Sequence, residues 1–237
     1  MVRPDHLRRF GLIALATDLT IEGDAARLMP EGTQLHVTRI AFENPTTPES
    51  LRRTGPRLRA AADLIVPGVP LDGMIFGCTS AAAVLGDAVE AEIGGRAPLV
   101  TPVGGLLRAL ATLGISRIGL LTPYLPETAD LVATYLEAHG IDIVSRHAMG
   151  YGDDRDMARL MPGEIIEGVT AADHPEADAL FLSCTALPAV PLIAELEARL
   201  GKPVLSSNQV VFWATLDIAR IPGDRPGPGR LFQICKW

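Results

Sequence analysis

The chain has 237 residues, 48% of them hydrophobic and 21% charged, with a net charge of −7. That length buries a substantial core in one large domain or two small ones, and the composition excludes general disorder. A diffuse negative charge with no basic cluster excludes nucleic acid as a partner, and no apolar run reaches the roughly 18 residues of a membrane span.

Three cysteines are too few for a disulfide framework, and free thiols suit the reducing cytoplasm. Residues Met1 to His6 lack an apolar signal core, so a cytoplasmic location is expected.

From the N-terminus onward, strand-like apolar runs alternate with helical patterns. Strands are expected at 10–16, 34–41, 73–77, 99–100, 117–121, 142–146, 179–183 and 204–205, and helices at 48–66, 81–93, 104–113, 127–139, 162–172, 188–200 and 209–219. Several of these strands are continuous Ile/Leu/Val runs, as parallel strands buried on both faces require. The expected class is α/β with right-handed crossovers. The Pro/Gly-rich run 222–229 reads as a loop with no assigned role.

The chain also repeats itself. Leu71-Asp-Gly-Met-Ile-Phe-Gly-Cys78-Thr79-Ser80 returns as Ala177-Asp-Ala-Leu-Phe-Leu-Ser-Cys184-Thr185-Ala186, 184 − 78 = 106 residues later. A Pro-led strand follows each cysteine at matching distance, 98 − 78 = 20 and 203 − 184 = 19. The run 11–17 pairs in the same way with 118–124. Two pseudo-symmetric lobes follow, 1–103 and 104–206, with 207–237 returning to the first lobe and a cleft between them. Linkers fall near 101–105 and 206–208.

Cys78 and Cys184 end apolar strands, where ligands bind in open α/β sheets. A lone buried cysteine is usually a small hydrophobe, and that reading stands for Cys235. The duplicated placement favours catalysis by Cys78 and Cys184. Each precedes a helix, whose N-terminus is expected to lower the thiol pKa from about 8.5 towards neutrality. Thr79, Ser80 and Thr185 cap those helices or cradle a carboxylate, and the two roles are compatible. Tyr124, at the end of another strand, packs or hydrogen-bonds substrate. Asp18 caps a helix, tunes a thiol or pairs with a cationic group. Ser206-Ser-Asn208-Gln209 caps the last helix or orients a substrate. No Walker loop, Gly-x-Gly-x-x-Gly fingerprint or metal-ligand spacing of histidines is present.

At Gly77-Cys78-Thr79-Ser80, Leu120-Leu-Thr-Pro-Tyr124, Leu182-Ser-Cys184-Thr185 and Ser206-Ser-Asn208-Gln209 the chain resembles the aspartate/glutamate racemase superfamily. It is similar, more narrowly, to the branch holding maleate cis-trans isomerases, arylmalonate decarboxylases and the EutA proteins of ectoine utilisation. The runs Asn44–Leu51 and Asp153–Ala158 resemble the EutA group most. The resemblance implies a cofactor-free homodimer or tetramer acting on a small carboxylic acid. Thr79, Ser80, Tyr124 and Thr185 then fall on the decarboxylase's carboxylate pocket, and Asn208 on a substrate-contacting Asn of maleate isomerases. The decarboxylases carry Gly where Cys78 stands, which makes decarboxylation a minor alternative. Asp18 replaces an Asn of the maleate isomerases, and its charge disfavours a dicarboxylate.

Two chemistries fit two thiols: proton transfer at the two faces of an α-carbon, and covalent addition of Cys78 to an alkene followed by rotation and elimination. With Asp18 in place, racemisation of an amino-acid or ectoine-related acid ranks first and maleate-type isomerisation second. A non-catalytic two-lobe binding protein is the contrasting class.

Overall fold

A computed structural model describes residues 7–93, 95–221 and 229–234. Cys235 and residues 222–228 of the Pro/Gly-rich run lie outside the described residues. The first half comprises β1 (Arg8–Leu15), α1 (Ile21–Leu28), β2 (Thr33–Ile40), α2 (Pro48–Arg52), α3 (Leu58–Leu64), β3 (Gly73–Gly77), α4 (Thr79–Leu85), α5 (Ala88–Ile93), β4 (Leu99–Val100) and α6 (Pro102–Leu113). The second comprises β5 (Arg117–Tyr124), α7 (Pro126–Ala138), β6 (Asp142–Tyr151), α8 (Asp154–Met157), α9 (Pro162–Ala172), β7 (Ala179–Leu182), α10 (Ile193–Leu200), β8 (Val204–Ser206) and α11 (Ser207–Ile218).

The strands form two four-stranded parallel sheets of identical topology, β2-β1-β3-β4 and β6-β5-β7-β8. The inner strands explain why the pattern was readable. Residues 10–15 of β1 and all of β3 and β7 are buried, as strands covered by helices on both faces must be. In each sheet the chain leaves the first strand for one neighbour and later returns to pair on its other side. A crevice therefore opens at the carboxyl ends of β1 and β3, and another at those of β5 and β7. The two crevices meet. Helix α11, buried along 207–217, packs on α6, α1 and β3. Among the described residues no helix is long and apolar enough to cross a membrane.

Several expected helices are broken. The stretch 81–93 divides at Gly86, whose positive φ of 54° ends α4 in a backbone conformation that favours glycine. The stretch 48–66 divides into α2, a 3₁₀ turn at Gly55–Arg57 and α3, because Pro56 seats in the turn where its missing N–H costs nothing. The stretch 188–200 opens with a 3₁₀ turn at Val190–Leu192 before α10. Helix α8 was not expected, and α1 only through the reading of Asp18 as a cap. Each is short, eight and four residues, and follows a polar loop.

Gly77, immediately before Cys78, has no room for a side chain. A Cβ there would lie 2.5 Å from Ile21 Cδ1 and 3.0 Å from Leu12 Cδ1. Gly77→Ala is expected to cost about 1–3 kcal/mol through overpacking of the α1–β3 contact. Urea denaturation measures this, and an unchanged midpoint at unchanged slope would refute the close approach.

Candidate active site

Four site residues sit at the ends of the four inner strands, two from each sheet. Asp18 follows β1, Cys78 follows β3, Tyr124 ends β5, and Cys184 lies just beyond β7. Together with Ser80, Thr185, Thr46, Asp154, Leu15, Met157 and Ala186 they line one cavity of about 20 Å³, room for roughly one water molecule. A cavity of about 260 Å³ between α5, α6 and α11 contains neither thiol, and its one cation, Arg108, is tied to Asp217. The candidate site residues named above thus converge on the smaller cavity.

The two thiols have matching surroundings. Cys78 Sγ lies 3.8 Å from Ser80 Oγ and accepts from the Ala81 N–H, while Cys184 Sγ accepts from the Ala186 N–H at 3.3 Å and from the Tyr124 hydroxyl. Cys184 also touches Met157, Sγ to Sδ 3.9 Å. These donors favour the thiolate. The expected strand-to-helix placement holds only for Cys78, itself the N-cap of α4; Cys184 and Thr185 lead into a non-helical turn, with the next helical residues starting at Val190, so Thr185 caps no helix. Burial overrides the donors. It pushes each thiol up to about 12, and the negative charge of Asp18 adds to the effect at both sulfurs. The expected shift towards neutrality is thus corrected. Helix α4 offers only seven residues of dipole, and the thiols are 4% and 5% exposed. Burial likewise raises Tyr124 well above 10, with the neighbouring thiols adding to it.

Asp18 lies two residues before Thr20, the N-cap of α1, and its carboxylate satisfies N–H groups at the helix start. Its Oδ1 accepts from the N–H of Thr20 at 2.7 Å and of Ile21 at 2.9 Å, and the Thr185 side chain bonds to it from the other lobe. Capping does not remove it from the cavity, so both readings of Asp18 hold in geometric terms. Burial raises its pKa against those bonds, and Asp154 opposes its charge as well.

Thr79 and Asn208 are not part of the lining. Thr79 Oγ1 donates to Ser207 Oγ at 2.8 Å, and this joins the start of α4 to the start of α11. Asn208 Nδ2 donates to Asp24 Oδ2 and to the Thr185 carbonyl, each at 2.8 Å. Both side chains point beneath the cavity because α11 begins there. Asn208 Nδ2 thus ties the Thr185 turn to α1, while its buried Oδ1 has no partner among the described residues. Ser206 and Gln209 form a capping box on α11.

Sequence reasoning assigned no role to Asp154. It lies in α8, its Oδ2 accepts from Thr17 Oγ1, and its Oδ1 accepts from Asn44 Nδ2 at 2.7 Å. Thr46 N–H donates to the Gly152 carbonyl at 2.7 Å, closing the same seam. The available signal was the Asp153-Asp154 pair, in which Asp153 caps a helix too short to show periodicity.

Two outcomes follow from these protonation states. At pH 8, thiols raised to about 12 carry about 10³-fold less thiolate than a thiol at 9, so iodoacetamide should modify Cys78 and Cys184 at least about a hundredfold more slowly in native than in urea-unfolded protein. Peptide mapping by mass spectrometry measures it, and equal rates would contradict the burial argument. The second outcome concerns buried Asp24, which desolvation raises from 3.8 to about 6. A raised folded pKa means that the contribution is fully present below about 3.8 and lost as pH rises through about 6. Asp24→Asn should match wild-type stability near pH 4 and exceed it by up to about 3 kcal/mol above pH 7. Denaturant titrations at the two pH values test this, and a constant gap would rule it out.

Comparison with known proteins agrees with this geometry. The Nocardia farcinica maleate isomerase is 28% identical over 243 residues, covering 96% of each chain. The Bordetella bronchiseptica arylmalonate decarboxylase is 32% identical over 142 residues, 57% of this chain and 58% of its own. A structure of a cysteine-to-serine mutant of the Nocardia farcinica maleate cis-trans isomerase, with a covalently bound succinylcysteine intermediate, superposes with a TM-score of 0.89 at 26% identity, covering 95% of this chain and 98% of that one. The family model described as Amdase, arylmalonate decarboxylase, matches residues 84–232, a span that includes Cys184 and begins six residues after Cys78. With more than half its length in that match, the chain belongs to the arylmalonate decarboxylase family.

Proposed function

We propose that this protein is a cofactor-independent isomerase that moves a small unsaturated carboxylic acid between cis and trans forms by reversible addition of Cys78. The observation that carries the reading is the convergence of two thiols, one from each lobe, on a single cavity. The succinylcysteine seen in the Nocardia farcinica relative supports covalent chemistry over simple proton transfer. That support reverses the order expected from the sequence, where racemisation came first.

In this reading the Cys78 thiol gives its proton to the Asp18 carboxylate, whose hold on a proton burial strengthens, and regains it when the sulfur is released. The thiolate adds to one alkene carbon, and the π pair moves to the neighbouring carbon, where the substrate carboxylate delocalises it. Cys184 delivers its proton to that carbon. Rotation about the new single bond follows, Cys184 takes a proton back, and the C–S bond breaks as the trans alkene forms. No atom or electron is gained or lost. The Ser80 and Thr185 hydroxyls and the turn N–H groups face the negative charge that builds on the carboxylate. Tyr124 holds Cys184 in place.

A second reading retains one specific point in its favour. The thiols have near-equivalent surroundings, each with a backbone N–H donor and a polar partner, as two-base inversion of an α-carbon requires. On that reading the substrate is an amino-acid or ectoine-related acid, in keeping with the likeness of 44–51 and 153–158 to the EutA group.

Proton NMR in deuterated water separates the two. With maleate and related alkenoic acids, we expect cis-to-trans conversion that falls by at least about 10³-fold in Cys78→Ala and about 10²-fold in Cys184→Ala. Inversion with α-deuteration of aspartate, ectoine or hydroxyectoine, lost in both variants and with no alkene conversion, would establish the second reading instead.

A further inference from the structure

We propose that the cavity selects an acid carrying a positively charged nitrogen, held between Asp18 and Asp154, and that Asp154 is a specificity-determining residue. The inference rests on the isomerase reading of the two thiols and deepens it by naming the charge type of the substrate.

Two carboxylates face the same cavity from opposite lobes, at 2% and 6% exposure. Among the described residues neither is within ion-pair distance of an Arg, Lys or His side chain. Arg155 follows Asp154 and the two charges interact, but its guanidinium is paired with Asp153 outside the cavity lining. Arg39 reaches the backbone of Asp18. Its guanidinium is spent behind the loop, on the Leu15 and Asp18 carbonyls and on Glu22. No lining residue carries a positive charge. The Asp154 oxygens accept from a threonine hydroxyl and an asparagine amide, both neutral donors, and no group of opposite charge meets them inside the cavity. Buried charge of one sign is costly unless something of the other sign joins it. That a ligand joins it here has independent support, because this is the cavity between the thiols, and a relative holds a covalent adduct on a cysteine.

The same arithmetic bears on reactivity. A dicarboxylate would bring two more negative charges beside Asp18 and Asp154, and ionising Cys78 would become harder still. A protonated nitrogen lowers the cost of every negative group in the cavity together, the departing thiol proton included. The carboxylate of such a substrate meets the hydroxyls of Ser80 and Thr185 by displacing their present bonds to Cys78 and to Gly77 and Asp18.

The test uses the full-length protein and two four-carbon probes, maleate and cis-4-aminobut-2-enoate, in which an aminomethyl group replaces one carboxylate. Affinity is read by calorimetry and turnover by NMR, in wild type, Asp154→Asn and Asp18→Asn. We expect wild type to bind the amino acid at least about tenfold more tightly than maleate, and either variant to bring the two within about threefold. Thermal unfolding of each variant checks that it is folded. Two variants from different lobes guard against one collapsing the site. Equal or tighter binding of maleate by wild type, a ratio unmoved in both variants, or no binding of the amino acid at millimolar concentration overturns the inference. Conversion of maleate to fumarate together with tighter maleate binding would sink the charge preference and leave the isomerase reading standing. Preference for the amino acid without conversion of either probe would do the reverse.

Discussion

Desolvation of sulfur is the constraint on which the rest of this structure depends. Two thiols are withdrawn from water at the carboxyl ends of β3 and β7, and both sit near 12 as a result. Everything around them can be understood as a partial answer to that cost. The turns supply N–H groups from Ala81 and Ala186, and Ser80 and Tyr124 add hydroxyls. Burial outweighs these donors at both sulfurs. Low thiolate character and low exposure also make a thiol slow to oxidise.

The duplication is what makes two such thiols face one another. Identical strand orders place equivalent strand ends at equivalent positions, and a pseudo-twofold arrangement points them at a common space. The site-proximal contacts then cross from lobe to lobe. Thr185 Oγ1 donates to the Gly77 carbonyl at 3.3 Å, Thr20 Oγ1 to the Ala186 carbonyl at 2.7 Å, and Thr128 Oγ1 to the Thr46 carbonyl at 2.9 Å. The symmetry is broken where it matters for chemistry. Position 18 is acidic in the first lobe, while the corresponding strand of the second ends in Tyr124.

Much of this was legible in the sequence because the responsible signals are long or repeated. Buried parallel strands announce themselves as unbroken apolar runs, and the repeated Cys-Thr turn marked both thiols and their place in the fold. What was hidden depended on tertiary context. Burial and neighbouring charge, not helix position, set the thiol pKa, and no local pattern reports them. Thr79 and Asn208 were drawn away by the start of α11, a contact spanning 128 residues in the first case. Asp154 sits on a four-residue helix with no periodicity, so only its neighbours across the interface, Thr17 and Asn44, reveal that it faces the thiols.

The seam formed by Asn44, Thr46, Gly152 and Asp154 ties the two lobes together beside the thiols. Asp154 takes its hydrogen bonds from Thr17 and Asn44 of the opposite lobe, and the Thr46 N–H reaches the Gly152 carbonyl. Any loosening that broke this seam would strip Asp154 of both donors at once, so the seating of one carboxylate reports how the lobes meet.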